Sequence, residues 1–348
     1  MNNKEVNIDK SNHRGATGIT IIMMLGTFVG SLGATLISPA LPTIMKDFNI
    51  SAASAQWLTT VYMLVVGVMI PSTAYLINRF TTRKLFIGAI SVFAVGSGLA
   101  LLDHSFELLL IARILQAIGA GIVLPLLQVT VLRIFPPEKR GLAMSIVGIT
   151  IGVAPAIGPT ISGYLVDIYG WKSLFIITLG IAILDILLAA FFLKNIGETK
   201  KIKLDVLSLV MSIIGFGAVL IGFSNIGRYG IMEYHVILPL IVGVVVLWIF
   251  FRRQCKIQEP LLNITPFKSR RFTISTILVS IVYGSMMSAT IIIPMYVQEV
   301  RGYSALISGL LILPGAIIML LFNPVAGKIL DKFGGRKLFI VGMILLLI

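Results

Sequence analysis

Apolar runs long enough to cross a bilayer follow one another from Ile19 to the C-terminus, parted by loops too short to hold a domain. They fall at about Ile19–Leu41, 53–77, 85–102, 107–132, 141–165, 173–193, 204–224, 234–251, 273–297 and 304–326, each near the ~20 residues a transmembrane helix needs. These ten runs imply an all-α fold integral to a membrane. An eleventh begins near Leu338 and reaches the last residue, Ile348, after only about 16 Å of helix, roughly half the hydrocarbon thickness. The chain is therefore expected to end inside a helix, as the C-terminally truncated form of something longer.

Composition supports this. Hydrophobic residues make up 57% of the chain and charged residues 12%, about half the charged share of a soluble domain. The net charge of +14 would suggest nucleic acid in a soluble protein, but here the basic residues sit in short loops. One alternating set of loops holds 23 Lys and Arg, and the other only Lys46, Lys172, Arg228 and Arg301. Basic residues gather on the cytoplasmic side, so the N-terminus is expected in the cytoplasm of a multi-pass protein of the cell membrane, with no nucleic-acid partner. The single Cys255 excludes an internal disulfide, and three scattered histidines give no metal site. No phosphate loop, metal-ligand spacing or nucleophile elbow is present, so neither an enzyme nor a cofactor is expected.

Two loops repeat. AYLINRFTTRKLFI at Ala74–Ile87 returns as GKILDKFGGRKLFI at Gly327–Ile340, 253 residues later, with RKLFI unchanged. Each copy joins the second and third spans of its half, and internal repeats are the architecture of transporters. The spacing divides the chain into a cytoplasmic tail (1–16), a six-helix bundle (17–193), cytoplasmic linkers with two inserted helices at 204–224 and 234–251 (194–271), and a partial second bundle (272–348) of two complete helices and a truncated third.

Three spans carry unusual residues. LLLIARILQAIGAG places Arg113 deep in an apolar helix, with Gln116 and Ala120 on the same face. An unpaired cation there costs at least ~2.5–3.5 kcal/mol, which suits an Arg that hydrogen-bonds buried backbone and ties helices together. Span five carries Ser145, Gly148, Gly152, Pro155, Pro159 and Ser162 at alternating steps of three and four, a stripe that lets another helix approach closely. Span six holds Asp185, the only carboxylate that this reading places deep in the membrane. A carboxyl at that depth can exchange a proton as the site opens to each side, can meet a cationic substrate, or can serve as a structural partner, with Arg113 as one candidate.

These motifs resemble the major facilitator superfamily, within it the 14-helix drug:proton antiporters related to the EmrB/QacA exporters. The branch containing the Gram-positive lincomycin and multidrug exporters is similar at QWLTTVYMLV, RFTTRKLF and IFPPEKRG. Gly327, Asp331, Gly334 and Arg336 match the family's cytoplasmic loop G-x-L-a-D-r-x-G-r-k. The resemblance implies a latch in which the Asp holds an Arg and a helix end across the two halves. In the first copy Ala74, Asn78 and Thr81 replace Gly, Asp and Gly while Arg79 and Arg83 remain, implying a weaker latch.

The family also has an Arg motif in span four, to which Arg113 and Gln116 correspond and which is assigned to proton coupling. APAIGPTISG is similar to the antiporter motif, with Pro155, Gly158, Pro159 and Gly163 in place and Gly148 and Gly152 on the same span. Span one departs: LGATLISPALP carries Gly33 where the family usually has an acid, which shifts the coupling role to Asp185. Gln56, Trp57, Tyr62 and Met63, together with Gln116, are candidates to line a pocket for flat cations, while aromatics at a span end also serve as interfacial anchors. The resemblance implies export of drugs or other hydrophobic or cationic small molecules in exchange for protons. Two alternatives are a non-transporting sensor or inactive truncated remnant, and a channel. A channel would need a polar stripe along several spans, yet only Arg113, Gln116 and Asp185 stand out.

Overall fold

The computed structural model describes residues 13–102, 105–196, 205–257, 260–303 and 305–347. Most of the tail at 1–16 and of the linker at 194–203 lies outside the described residues. The described residues form helices with no strand: α1 (His13–Thr35), α2 (Leu41–Phe48), α3 (Ala52–Ala55), α4 (Trp57–Arg79), α5 (Thr82–Leu99), α6 (Phe106–Ile134), α7 (Arg140–Tyr169), α8 (Lys172–Phe192), α9 (Val206–Tyr229), α10 (Tyr234–Gln254), α11 (Arg270–Met295), α12 (Ala305–Phe333) and α13 (Gly335–Leu347). Among the described residues nine helices are long and apolar enough to cross a membrane. The protein is an all-α, multi-pass membrane protein.

The first span differs from the sequence expectation of one helix to Leu41. α1 stops at Thr35, a 3-10 turn follows at Ser38–Ala40, and α2 restarts the chain. Pro39 and Pro42 each fall in the first turn of the piece they begin, where a missing N–H is no loss. Asn49 then closes α2 in the left-handed region at φ 51°.

α6 lies at a centre of packing, with α1, α4 and α5 around it. α8 packs on α5 and α1, and α7 on α1 and α12. The apolar core has two parts. One is built on Met23, Phe86, Ile90, Phe93, Leu126 and Ala182. The other is built on Leu36, Ile44, Leu58, Trp171 and Phe175. In the second, the Trp171 indole donates to Asp47 at 2.6 Å and tilts against Phe48 with ring centres 5.9 Å apart.

α9 and α10 form an antiparallel hairpin, and α9 also packs on α4. Its ends are pinned by polar contacts. At one, the Asn225 side-chain amide donates to His235 O at 3.0 Å. At the other, Asp205 caps α9 by accepting from Ser208 N at 3.2 Å and pairs with Arg253 of α10 at 3.1 Å. Gln254 donates to Ser208 Oγ at 2.7 Å and accepts from Leu262 N at 3.1 Å, so the segment leading toward α11 is held to the same cluster.

Candidate functional site

The second repeated loop joins α12 to α7. Asp331, in the last turn of α12, accepts from Gly141 N at 2.8 Å and Leu142 N at 3.0 Å. These are free amides at the start of α7, where the helix dipole favours an anion. Gly327, one turn earlier, makes the approach possible: a Cβ there would stand 2.8 Å from both Gly141 O and Leu142 Cα. Those are backbone atoms that cannot swing aside, so any side chain would push α12 off α7. Arg140 does not join Asp331; its Nε donates to Phe135 O at 3.3 Å. Gly334 turns the chain into α13 at φ 77°, a conformation glycine adopts without penalty. Arg336 falls in the first turn of α13.

The first copy is built differently. Asn78 donates to Ala74 O of its own helix at 3.0 Å. Thr81, at the place of Gly334, is extended at φ −67°, ψ 146°. Arg83 donates through its guanidinium to Ala190 O and through its amide to Asn195 Oδ1, and Thr82 donates to Ile196 O at 2.9 Å. This copy clamps the end of α8. Arg79 is exposed.

Arg113 is 2% exposed and fully engaged. Its Nε donates to Leu58 O at 3.2 Å, one terminal nitrogen to Gln116 Oε1 at 2.9 Å and the other to Gly33 O at 2.8 Å. The guanidinium lies 4.2 Å from the centre of the Tyr62 ring, within cation–π range. The Tyr62 hydroxyl donates to Gly30 O at 2.6 Å. Gln116 passes the network on to Ser97 Oγ at 2.7 Å, which lies 3.5 Å from Thr178 Oγ1. α1, α4, α5, α6 and α8 thus meet around one cation. Beside it, Gly33, Leu36, Arg113, Gln116, Phe175 and Thr178 border a cavity of about 10 Å³, room for about one water.

Asp185 is fully buried, and neither carboxylate oxygen has a hydrogen-bond partner. No hydrogen bond or ion pair joins it to Arg113 among the described residues, so the pairing considered from sequence is not formed. Oδ2 points at Gly26 of α1: a Cβ there would stand 2.5 Å from it.

The small-residue stripe of α7 serves two neighbours. Ser145, Gly148 and Gly152 face Gly327, Asn323 and Met319 of α12. Farther along, Gly158 meets Thr35 and Leu32 of α1, and Ser162 donates to Leu36 O at 2.5 Å. Both Pro155 and Pro159 lie inside the helix. Gly163 is buried.

A sequence profile of the Major Facilitator Superfamily matches residues 23–348. The chain belongs to the major facilitator superfamily. Among its relatives, the uncharacterized MFS-type transporter YcnB of Bacillus subtilis is 46% identical over 321 residues, 92% of this chain and 68% of that protein. The lincomycin resistance protein LmrB of Bacillus subtilis is 41% identical over 329 residues, 94% of this chain and 69% of that protein. The multidrug export protein EmrB of Escherichia coli is 30% identical over 322 residues, 92% of this chain and 63% of that protein. The chain thus spans about two thirds of the length of these relatives.

Among solved structures, a POT family transporter in complex with a thioalcohol conjugated peptide aligns with a TM-score of 0.64 at 19% identity, over 93% of this chain and 71% of that one. The proton:xylose symporter XylE bound to 6-bromo-6-deoxy-D-glucose aligns with a TM-score of 0.59 at 19% identity, over 94% of this chain and 71% of that one. At that identity the likeness is one of fold, and it is the major facilitator fold.

This facilitator brings only part of the expected pocket together. Tyr62 and Gln116 meet at Arg113. Gln56, before the first turn of α4, and Met63 are exposed, and Trp57 is half-buried. Sequence reasoning missed the Gly141 and Leu142 amides, because a backbone N–H carries no mark in the sequence. It also missed Ser97 and Thr178, single hydroxyls in apolar spans, and Gly26, Gly30 and Gly33, whose steps of four and three put them on one face of α1.

Proposed function

We propose that this facilitator exports drugs or other hydrophobic and cationic small molecules in exchange for protons. It would do so in the cell membrane, with its N-terminus in the cytoplasm. Asp185 carries the reading. A bare carboxylate sealed among apolar side chains is costly, so the enclosed group holds a proton and gives it up when the site meets water. The position suits a coupling residue, since Gly33 removes the acid usual in span one. The names of LmrB and EmrB support drugs as the substrate class, and the asymmetry of basic loops supports the orientation.

Arg113 organises the bundle around this proton site. Its cation is met by the carbonyls of Leu58 and Gly33 and by Gln116, which keeps it away from Asp185. The Asp331–α7 contact acts as the cytoplasmic latch. With it closed, the cavity beside Arg113 is far smaller than a drug, so substrate enters only after helices move. The α9–α10 hairpin is an insert carried on α4 between the six-helix bundle and the second bundle.

The test is efflux of a panel of dyes and antibiotics from cells expressing the gene, with and without a protonophore. Export should cease when the proton gradient collapses. Asp185→Asn should insert normally and lose gradient-driven export, and Asp185→Glu should keep part of it. Export that ignores the protonophore, or that Asp185→Asn leaves at the wild-type rate, would overturn the reading.

A further inference from the structure

Three glycines lie along one face of α1, and each meets a different member of the buried polar machinery. Gly26 faces Asp185, with room for no more than a hydrogen. The Gly30 carbonyl accepts the Tyr62 hydroxyl at 2.6 Å, and the Gly33 carbonyl accepts Arg113 at 2.8 Å. Such a stripe would ordinarily mean close helix packing alone. Here a fully buried carboxyl with both oxygens unpartnered is aimed into it.

We propose that α1 is the gate over Asp185: Gly26 seals the carboxyl in the closed bundle, and Gly30 and Gly33 carry the displacement of α1 to Tyr62 and Arg113. The inference rests on the reading of Asp185 as the proton-carrying group, and Gly26 acts on it as a positioning residue. The physical reason is rigidity. Gly26 and Gly33 are seven residues apart, about 10 Å along one helix. Water reaches the carboxyl only if α1 withdraws, and the same withdrawal strains both carbonyl contacts farther along. The carboxyl O–H then passes its proton to water, leaving a carboxylate, and takes a proton back from water before α1 closes. Phe86 and Ile90 of α5 crowd the same Cβ position of Gly26 as Asp185 Oδ2. Along α1, the Tyr62 contact at Gly30 lies about 6 Å from Gly26 and the Arg113 contact at Gly33 about 10 Å.

The seal can be tested by filling it. The atoms nearest to an alanine methyl at Gly26 are Asp185 Oδ2 and the outer ends of Ile90 and Phe86, 2.5–2.8 Å away, so side-chain shifts suffice for folding. In proteoliposomes with a trapped pH dye, Gly26→Ala should raise substrate-free proton leak by about tenfold, as the wedge shifts α1 toward its open arrangement. Adding Asp185→Asn to the same chain should abolish that leak. Gly88→Ala, on α5 with open space around its methyl, should show no Asp185-dependent leak. A second measurement needs no glycine variant: deuterium uptake across Gly26–Gly33, corrected for intrinsic exchange, should rise with pH in wild type and not in Asp185→Asn.

A Gly26→Ala leak no greater than wild type, a leak that survives Asp185→Asn, or equal pH responses in the exchange experiment would each overturn the gate. Normal gradient-driven export by Asp185→Asn would instead overturn the proton-carrier reading beneath it.

Discussion

Asp331 accepts the Gly141 amide at 2.8 Å, so one carboxylate caps α7 from the end of α12. The bond joins residues 190 apart and holds α12 to α7.

Removing that charge should loosen the face. Asp331→Asn keeps an acceptor oxygen but gives up the anion at the helix start, worth about 0.3–1 kcal/mol, and weakens charge-assisted bonds of about 1.5–3 kcal/mol. Spin labels at the two helix ends should read a broader and longer distance distribution in Asp331→Asn. Asn78→Ala should leave that distribution unchanged, since Asn78 bonds only within its own helix. Equal broadening by both variants would contradict the assignment of the tie to the second loop.

Gly158→Leu should abolish export while the protein still reaches the membrane. The site faces Thr35 and Leu32 of α1, and a branched side chain there forces the helices apart. Membrane yield and dye efflux, measured together, check it. Full export at normal yield would mean that α1 and α7 need not pack closely there.

Arg113→Ala should be among the most destabilising single changes. It leaves the acceptors at Leu58, Gly33 and Gln116 unpaired in the interior. The expected loss is about 1.5–3 kcal/mol, the scale of a hydrogen bond to a charged group. Tyr62→Phe loses one hydroxyl bond, about 0.6–1 kcal/mol. Thermal unfolding in detergent should rank Arg113→Ala far below Tyr62→Phe, which should sit just below wild type.

The hairpin clamp should respond to acid. Partial burial pushes the Asp205 carboxyl up, but the bonds from Ser208 and Arg253 outweigh it and hold the group below its ordinary range. A lowered carboxyl value favours the folded state above the unfolded value of about 3.9, and the gain disappears as pH falls through the lowered folded value. The stability difference between wild type and Arg253→Met should therefore be level from neutral pH to about pH 5 and shrink only in stronger acid. A difference that vanished between pH 8 and 6 would show that another group is responsible.

Much of this was legible in the chain. Apolar run length fixed the helices, because lipid leaves a spanning backbone no partners but its own. The repeated RKLFI marked two related loops, and the changes just before it foretold that they are unequal: Asn78 for Asp331 and Thr81 for Gly334 became different bonds and different backbone angles. Arg113 and Asp185 announced themselves as ionisable groups deep in apolar helices. What each one touches was decided only in three dimensions. Arg113 is satisfied largely by the carbonyls of Leu58 and Gly33, and carbonyls are present at every residue, so the sequence cannot distinguish the ones that are used. Asp185 has no hydrogen-bond partner among the described residues, an outcome set by the three helices α1, α5 and α8 that converge on it. Periodicity gives each helix its apolar face, but neighbours, rotation and depth come from packing between residues far apart in the chain, and that packing turned three ordinary glycines of α1 into contacts with Asp185, Tyr62 and Arg113.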